Sequence, residues 1–185
     1  AGGLHAYDLG NDNLHTQLKE QGDSDRAGSL LESFGTYLYV FNAEERNVYR
    51  YLRSDDELSD PIGWLVDKQD FVFDEIEDMA VDGDIWFTTQ NGEVWRYTQG
   101  SRQEFAIQDL NTAFDSSLKI ATHLESEYLY VLESSKNRLV VLRKDGTFFK
   151  EIVSEVLAGA NTLAASKTED VVYVISGSLV YRLSL

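Results

Sequence analysis

An aromatic residue held between aliphatic neighbours recurs along this chain at Tyr39 (Leu38-Tyr39-Val40), Trp86 (Ile85-Trp86-Phe87), Tyr130 (Leu129-Tyr130-Val131) and Tyr173 (Val172-Tyr173-Val174), at intervals of 47, 44 and 43 residues. A second apolar segment follows each copy: Val48-Tyr49-Arg50-Tyr51, Val94-Trp95-Arg96-Tyr97, Leu139-Val140-Val141-Leu142 and Val180-Tyr181-Arg182-Leu183. Self-similarity at such a period marks stacked supersecondary units, each unable to bury its apolar surface alone. The period constrains the fold more than any single residue does. It also argues against reading an isolated polar residue as an active site.

Within each period the apolar residues alternate or run in fours and fives between Gly, Asn, Asp and Ser, which predicts short strands joined by tight turns. Four strands, a to d, fit each repeat. The a strands are expected at 29–33, 78–81, 119–123 and 162–165, and the b strands at 37–41, 84–88, 128–132 and 171–175. The c strands are expected at 47–52, 93–97, 138–143 and 179–183, and the d strands at 64–67, 103–107 and 147–152. Asn91-Gly92 and Lys144-Asp145-Gly146 are hairpin signals. The segments 109–117 and 153–158 are the candidate exceptions to an all-strand chain, and both are short for a helix.

Four antiparallel strands repeated at this spacing describe a β-propeller blade. The expected fold is therefore all-β, a β-propeller of about four blades with four-stranded antiparallel blades. The blades fall at 27–70, 76–109, 117–153 and 160–185, the last incomplete, after a half-blade at 1–22. In that half-blade Leu4-His5-Ala6-Tyr7 matches a c strand, Gly10-Asn11-Asp12-Asn13 a turn and 14–19 a d strand. Two readings follow from this offset. Either the N-terminal strand completes the last blade and closes the ring, or the chain is part of a larger propeller. The stretch 53–63, with the lone Pro61, lengthens one c-to-d connection and reads as an acidic loop.

Composition narrows the partners. Asp and Glu number 32 against 16 Lys and Arg, a formal net charge of −16. Such a field repels phosphate backbones, so nucleic acid is not an expected partner. The same acid keeps a two-sided β protein soluble and guards its strand edges. No apolar run approaches the roughly 20 residues of a membrane span. With no cysteine, disulfide frameworks, thiolate metal sites and Cys nucleophiles are excluded.

Candidate chemistry is sparse. His5, His15 and His123 share no metal-type spacing. His123 ends an a strand, where a propeller lines its central channel, and is the one candidate base. Asp82-Gly83-Asp84 has the look of a carboxylate pair, yet it stands where a tight a-to-b turn belongs. Asp8, Asp12 and Asn13 around Gly10 lack the closing Glu of a calcium loop at the required distance, since position 19 is Lys, and read as a hairpin turn. The d-to-a and b-to-c loops of a propeller emerge on one side. Asp70, Asp74, Glu75, Glu77, Asp78, Asp109 and Asp115 are thereby expected to gather into an acidic ligand-binding face for a cation such as calcium or a basic partner. No cofactor is otherwise called for. Arg50, Arg96 and Arg182 recur at one repeat position, which suits stems that cover apolar surface and pair with a neighbouring acid.

Short segments such as Tyr128-Leu129-Tyr130-Val131-Leu132 and 137–146 resemble NHL-like propellers. The wider runs Pro61-Ile62-Gly63-Trp64-Leu65, 79–86 and 174–181 are similar to the C-terminal propeller of membrane proteins from small-genome candidate-phylum bacteria, over most of the chain from about Leu30 onward. In that group a PPM-type phosphatase-like domain and a membrane segment precede the propeller, and neither is in this sequence. The resemblance implies a propeller displayed outside the cytoplasm or at the cell surface, and it carries over no functional residue. The expected function is a non-enzymatic binding or scaffolding module with a protein or glycan ligand. Two alternatives stand beside it. One is a lyase or glycan-active enzyme using the central funnel, and the other is a homo-oligomeric structural protein pairing through open blade edges.

Overall fold

The computed structural model describes residues 5–7, 15–17, 19–20, 30–54, 57–167 and 171–185. The chain is all-β, and its sheets are the blades of a β-propeller. It divides into two units, Ala1–Gln69 and Asp70–Leu185.

In the first unit β1 (His5–Tyr7) and β2 (His15–Gln17) pair antiparallel, and β3 is Lys19–Glu20. The turn read over residues 10–13 lies outside the described residues. The blade proper is β4 (Leu30–Phe34), β5 (Tyr37–Asn42) and β6 (Asn47–Ser54), each antiparallel to the next. Its outer strand comes in two pieces. β7 (Glu57–Leu58) folds back on the end of β6 and pairs parallel with β3, and β8 (Ile62–Gly63) pairs with β6 at Tyr49 and Arg50. Part of the stretch read as a long acidic loop, Glu57–Leu58 and Ile62–Gly63, is thus outer strand. It is interrupted at Pro61, which has no N–H to give to a ladder. The side of this blade bearing Val40, Tyr49, Tyr51 and Leu58 is buried.

The second unit holds three blades in sequential order. The first is β9 (Ile76–Val81), β10 (Ile85–Thr89), β11 (Val94–Thr98) and β12 (Ser101–Gln103). The next is β13 (Leu118–Thr122), β14 (Tyr128–Glu133), β15 (Arg138–Arg143) and β16 (Phe148–Val153). The last is the three-stranded sheet β17 (Ala160–Ala165), β18 (Val171–Ser176) and β19 (Leu179–Ser184). The first-blade face carrying Ala80, Trp86 and Val94 packs on Leu129, Val131, Val140 and Leu142 of the next. That blade's other face, with Tyr130, Leu132, Leu139 and Val141, packs on Val172 and Val174 of the last. Both faces of the middle blade are therefore apolar, as continuous runs in β14 and β15 require. Each fully buried aliphatic side chain there contributes on the order of 1.5–3 kcal/mol.

The a, b and c strands fall where the alternation puts them, to within about two residues at their ends. Of the expected d strands, 147–152 falls in place as β16, whereas those at 64–67 and 103–107 give way to the earlier β7, β8 and β12. β12 begins at Ser101, ahead of the expected 103–107, because Gln99 and Gly100 both take positive φ (51° and 85°) and close a two-residue hairpin with Thr98 opposite Ser101. Such a turn matches strand twist and reverses the chain at once. Segment 109–117 forms no helix, and Glu155–Gly159 is a short 3-10 turn.

Candidate functional site

Of the acidic residues of the expected ligand face, Asp74, Glu75 and Asp115 meet at one b-to-c turn, whereas Asp109 stands by a c-to-d turn. Asp74 and Glu75 sit in a 3-10 turn before β9 and are tied to the b-to-c turn of that blade: Gln90 donates its backbone N–H to the Glu75 carbonyl (2.8 Å) and its side-chain amide to the Asp74 carbonyl (3.2 Å). The loop through Asp115 meets the same turn, where a Cβ on Gly92 would run into the Phe114 and Asp115 carbonyls. Asp70 is exposed just before Phe71. Asp109, at φ 60°, stands beside Gln108, which bridges to Thr147 in the c-to-d turn of the next blade.

Glu77 and Asp78 are used within the fold. The Glu77 carboxylate accepts the backbone N–H groups of Ser117 (3.1 Å) and Leu118 (2.8 Å), and Asp78 accepts that of Ile120 (2.9 Å). The two acids staple β9 to the inner strand β13 of the neighbouring blade. Burial holds the Asp78 carboxyl above its ordinary value, only partly offset by the Ile120 amide and by Lys119. Asp115 pairs with Lys136 at 3.0 Å. Among the described residues no group of three or more His, Asp or Glu is arranged to hold a metal ion.

Among the described residues two carboxylates are buried, and structural donors hold each. Asp82 Oδ1 accepts from the Asp84 backbone N–H (3.2 Å) and Trp86 Nε1 (3.1 Å), while Oδ2 accepts from Lys144 Nζ (2.7 Å) and lies 3.2 Å from Thr122 Oγ1. The Asp82-Gly83-Asp84 segment is the tight turn the spacing calls for, with Gly83 at φ 113°. Its first acid also clamps the end of β13 and the c-to-d turn of the next blade. Glu133 Oε1 accepts from the Asp115 backbone N–H (2.8 Å) and Lys136 Nζ (3.2 Å), and Oε2 from both Nε and Nη2 of Arg138 at 2.6 Å. Arg138 spends its remaining donors on Glu151 (3.0 Å) and the Thr112 and Ala113 carbonyls (2.9 and 3.1 Å). Four donors reach the Glu133 carboxylate, and three reach Asp82 beside Thr122, whose single hydroxyl proton lies nearer the Tyr128 carbonyl (3.0 Å), so structural partners hold both acids.

His123 follows β13 and is half-buried. Its Nδ1 accepts the Glu125 backbone N–H (3.2 Å), and its carbonyl accepts Lys144 Nζ (3.0 Å) and the Ser126 N–H (3.0 Å). It serves the a-to-b turn. The recurring arginines lie across from the repeat aromatics. Arg96 stands 5.2 Å over Trp86 and pairs with Asp84 at 2.6 Å, Arg50 lies 4.7 Å over Tyr37, and Arg182 donates to Ser184 Oγ (3.1 Å).

A shallow cavity of about 250 Å³ opens where β12 ends early, lined by Glu93, Val94, Trp95, Arg102, Phe105 and Ile107. It is smaller than the 300–1,000 Å³ usual for a small-molecule site. Arg102 stacks over the Trp95 ring at 4.3 Å, and Trp95 Nε1 donates to Glu93 (2.8 Å). The polar nodes on Asp82 and Glu133 were not readable from the sequence as such. Their partners come from up to 62 residues away, as with Lys144 on Asp82, and only blade stacking brings them together.

No protein-family model and no curated protein matches the chain. Solved structures do. The computationally designed Ika4 protein is similar at a TM-score of 0.59 and 12% identity, covering 91% of this chain and 96% of Ika4. Myxococcus xanthus glutaminyl cyclase is similar at 0.58 and 9% identity, covering 84% of this chain and 72% of that one. Kuenenia stuttgartiensis hydrazine synthase is similar at 0.55 and 12% identity, covering 97% of this chain but 49% of that one. At these identities the likeness is one of fold alone: the chain is a β-propeller. No helix among the described residues is long and apolar enough to cross a membrane.

Proposed function

We propose that the chain is a non-enzymatic β-propeller module that binds or scaffolds a partner through its acidic loop surface. The observation that carries this reading is that both buried carboxylates, Asp82 and Glu133, are taken up by structural donors from neighbouring strands and turns. General acid–base work needs a positioned group with a lone pair or proton free to move, and these two are engaged in holding strands and turns together. The ionisable groups left at the surface are mostly acids on a chain of net charge −16, a field that attracts a cationic partner. The partner class that fits is a basic protein segment. Display outside the cytoplasm, and an NHL-like ancestry, rest on the resemblance of the sequence to propellers of that kind.

The test is binding of Lys/Arg-rich and Asp/Glu-rich peptides to the immobilised chain at low and high salt. Basic peptides are expected to bind, to weaken as salt screens the field, and to weaken further for Asp74→Lys with Glu75→Lys. Equal binding of acidic and basic peptides, or no binding of either, defeats the reading. Calorimetric titration with calcium separates a cation site from a peptide site on the same surface.

A further inference from the structure

The outer edge of the first blade of the second unit stops one step short. Thr89 donates its N–H to the Glu93 carbonyl (3.1 Å), and Phe87 and Ile85 stand opposite Trp95 and Tyr97. Main-chain groups of an antiparallel strand turn to its two sides alternately. Glu93, Trp95 and Tyr97 therefore turn theirs to β10, and Val94, Arg96 and Thr98 turn theirs to the β12 side. β12 meets Thr98 with Ser101 and Arg96 with Gln103, and there it ends. Phe105, which would come next opposite Val94, has left the edge and packs its ring 5.2 Å from that of Trp86. Val94 is buried, and among the described residues nothing is hydrogen-bonded to its N–H or to its carbonyl. A buried main-chain donor and acceptor left in this state cost free energy until a partner reaches them.

The cavity of about 250 Å³ lies at this step. Its walls hold both charges. Arg102 lies over the Trp95 ring at 4.3 Å, and no acid among the described residues pairs with it. Glu93 gives one carboxylate oxygen to Trp95 Nε1 (2.8 Å). β12 fills the next positions along the edge, so a strand added here ends in the slot and does not run through it. The side chain waiting at that end, from β12 itself, is Arg102, which suits a carboxylate and repels an amine.

We propose that the slot takes the carboxyl-terminal end of an extended peptide of a partner protein, laid parallel to β11. The terminal residue gives its N–H to the Val94 carbonyl, the carbonyl two residues earlier accepts the Val94 N–H, and the terminal carboxylate falls to Arg102. This joins strand addition at a free edge to capture of a chain end. The cavity is small for a drug-sized ligand and suits the last residues of a chain. Its open end lies at Gly92, in the turn that Asp74, Glu75 and Asp115 meet, so the residues ahead of the terminal ones pass over acids. A basic character for those residues rests on the acidic-surface binding proposed above, whereas capture of the chain end does not.

The test is fluorescence anisotropy of an end-labelled peptide, Lys-Arg-Lys-Ser-Val-Thr-Val, on the intact chain, as the free acid and as the C-terminal amide. The free acid is expected to bind about tenfold or more tightly, the worth of one charge-assisted hydrogen bond. Arg102→Ala is expected to erase that difference by weakening the acid and sparing the amide. Arg53→Ala, which removes another exposed arginine, is expected to keep it. A methyl on the last peptide nitrogen of the free acid removes the N–H meant for Val94 and is expected to weaken binding with the protein unaltered. In hydrogen exchange the Val94 amide is expected to exchange faster than that of Trp95 in the free chain and to slow when the free acid is bound. Equal binding of acid and amide overturns the proposal, and if that binding fades with salt the acidic-surface reading stands without it. A free-acid preference that salt leaves unchanged supports the slot and defeats the acidic surface. Absence of binding, equal loss in Arg53→Ala, or a Val94 amide already protected in the free chain overturns the proposal.

Discussion

Glu133 and Arg138 are both buried, and each is the other's principal partner. Removing one leaves the other with only its secondary partner, Glu151 for Arg138 or Lys136 for Glu133, at a cost of up to about 3–5 kcal/mol. Glu133→Ala should therefore lower stability by about that amount in urea unfolding. Replacing both with apolar residues should recover much of the loss, and a double-mutant cycle with no coupling would refute the pairing. Asp78 behaves in the opposite sense. Its carboxyl is raised by burial, so the folded chain holds the proton more tightly than the unfolded chain does. The stability from this group is fully present below the ordinary Asp value of about 4 and is lost as pH rises through the raised folded value. Asp78→Asn stays neutral, so it should stabilise the chain at neutral pH, with a gain that fades on acidification. Urea midpoints of both proteins from acid to neutral pH check this, and a gain independent of pH would contradict it. At this scale the sequence was half legible. Asp82-Gly83-Asp84 announced a turn by composition, whereas nothing near Asp82 announced that Lys144 would meet it.

The blade strands differ in how fully they were written in the chain. The b and c strands carry three to five apolar residues each, the material for packing blade on blade, and that pattern is visible without coordinates. Outer strands have one edge and much of one face in solvent, so their residue types are weakly constrained. That is why β12 starts ahead of its expected place and the outer strand of the first-unit blade breaks into β7 and β8. Gln99-Gly100 was the one local signal for the early turn. Protection against hydrogen exchange should follow the same gradient. Amides of β14 and β15, central in a blade packed on both sides, should exchange last. Those of β12 and β19 should exchange early when measured on dilute protein. Equal protection of β19 and β15 would contradict the uneven packing seen here.

Across the molecule, the recurrence of an aromatic every 43 to 47 residues determined by itself that the chain is a strand-built repeat, because a half-buried sheet repeated at that spacing has few ways to cover both faces other than blade on blade. The sequence likewise determined the acidic field and the absence of thiol chemistry, since both are sums over residues and need no contacts. Tertiary structure alone decided what became of the conspicuous residues. It turned Glu77 and Asp78 into inter-blade staples, locked Asp82 and Glu133 in buried polar nodes, and put His123 to work in a turn. It also separated four repeat aromatics that look alike in the chain, burying Tyr39, Trp86 and Tyr130 and leaving Tyr173 in water. The reason is physical: a local pattern specifies which face of a strand is apolar, but whether that face is covered depends on which sheet stacks against it.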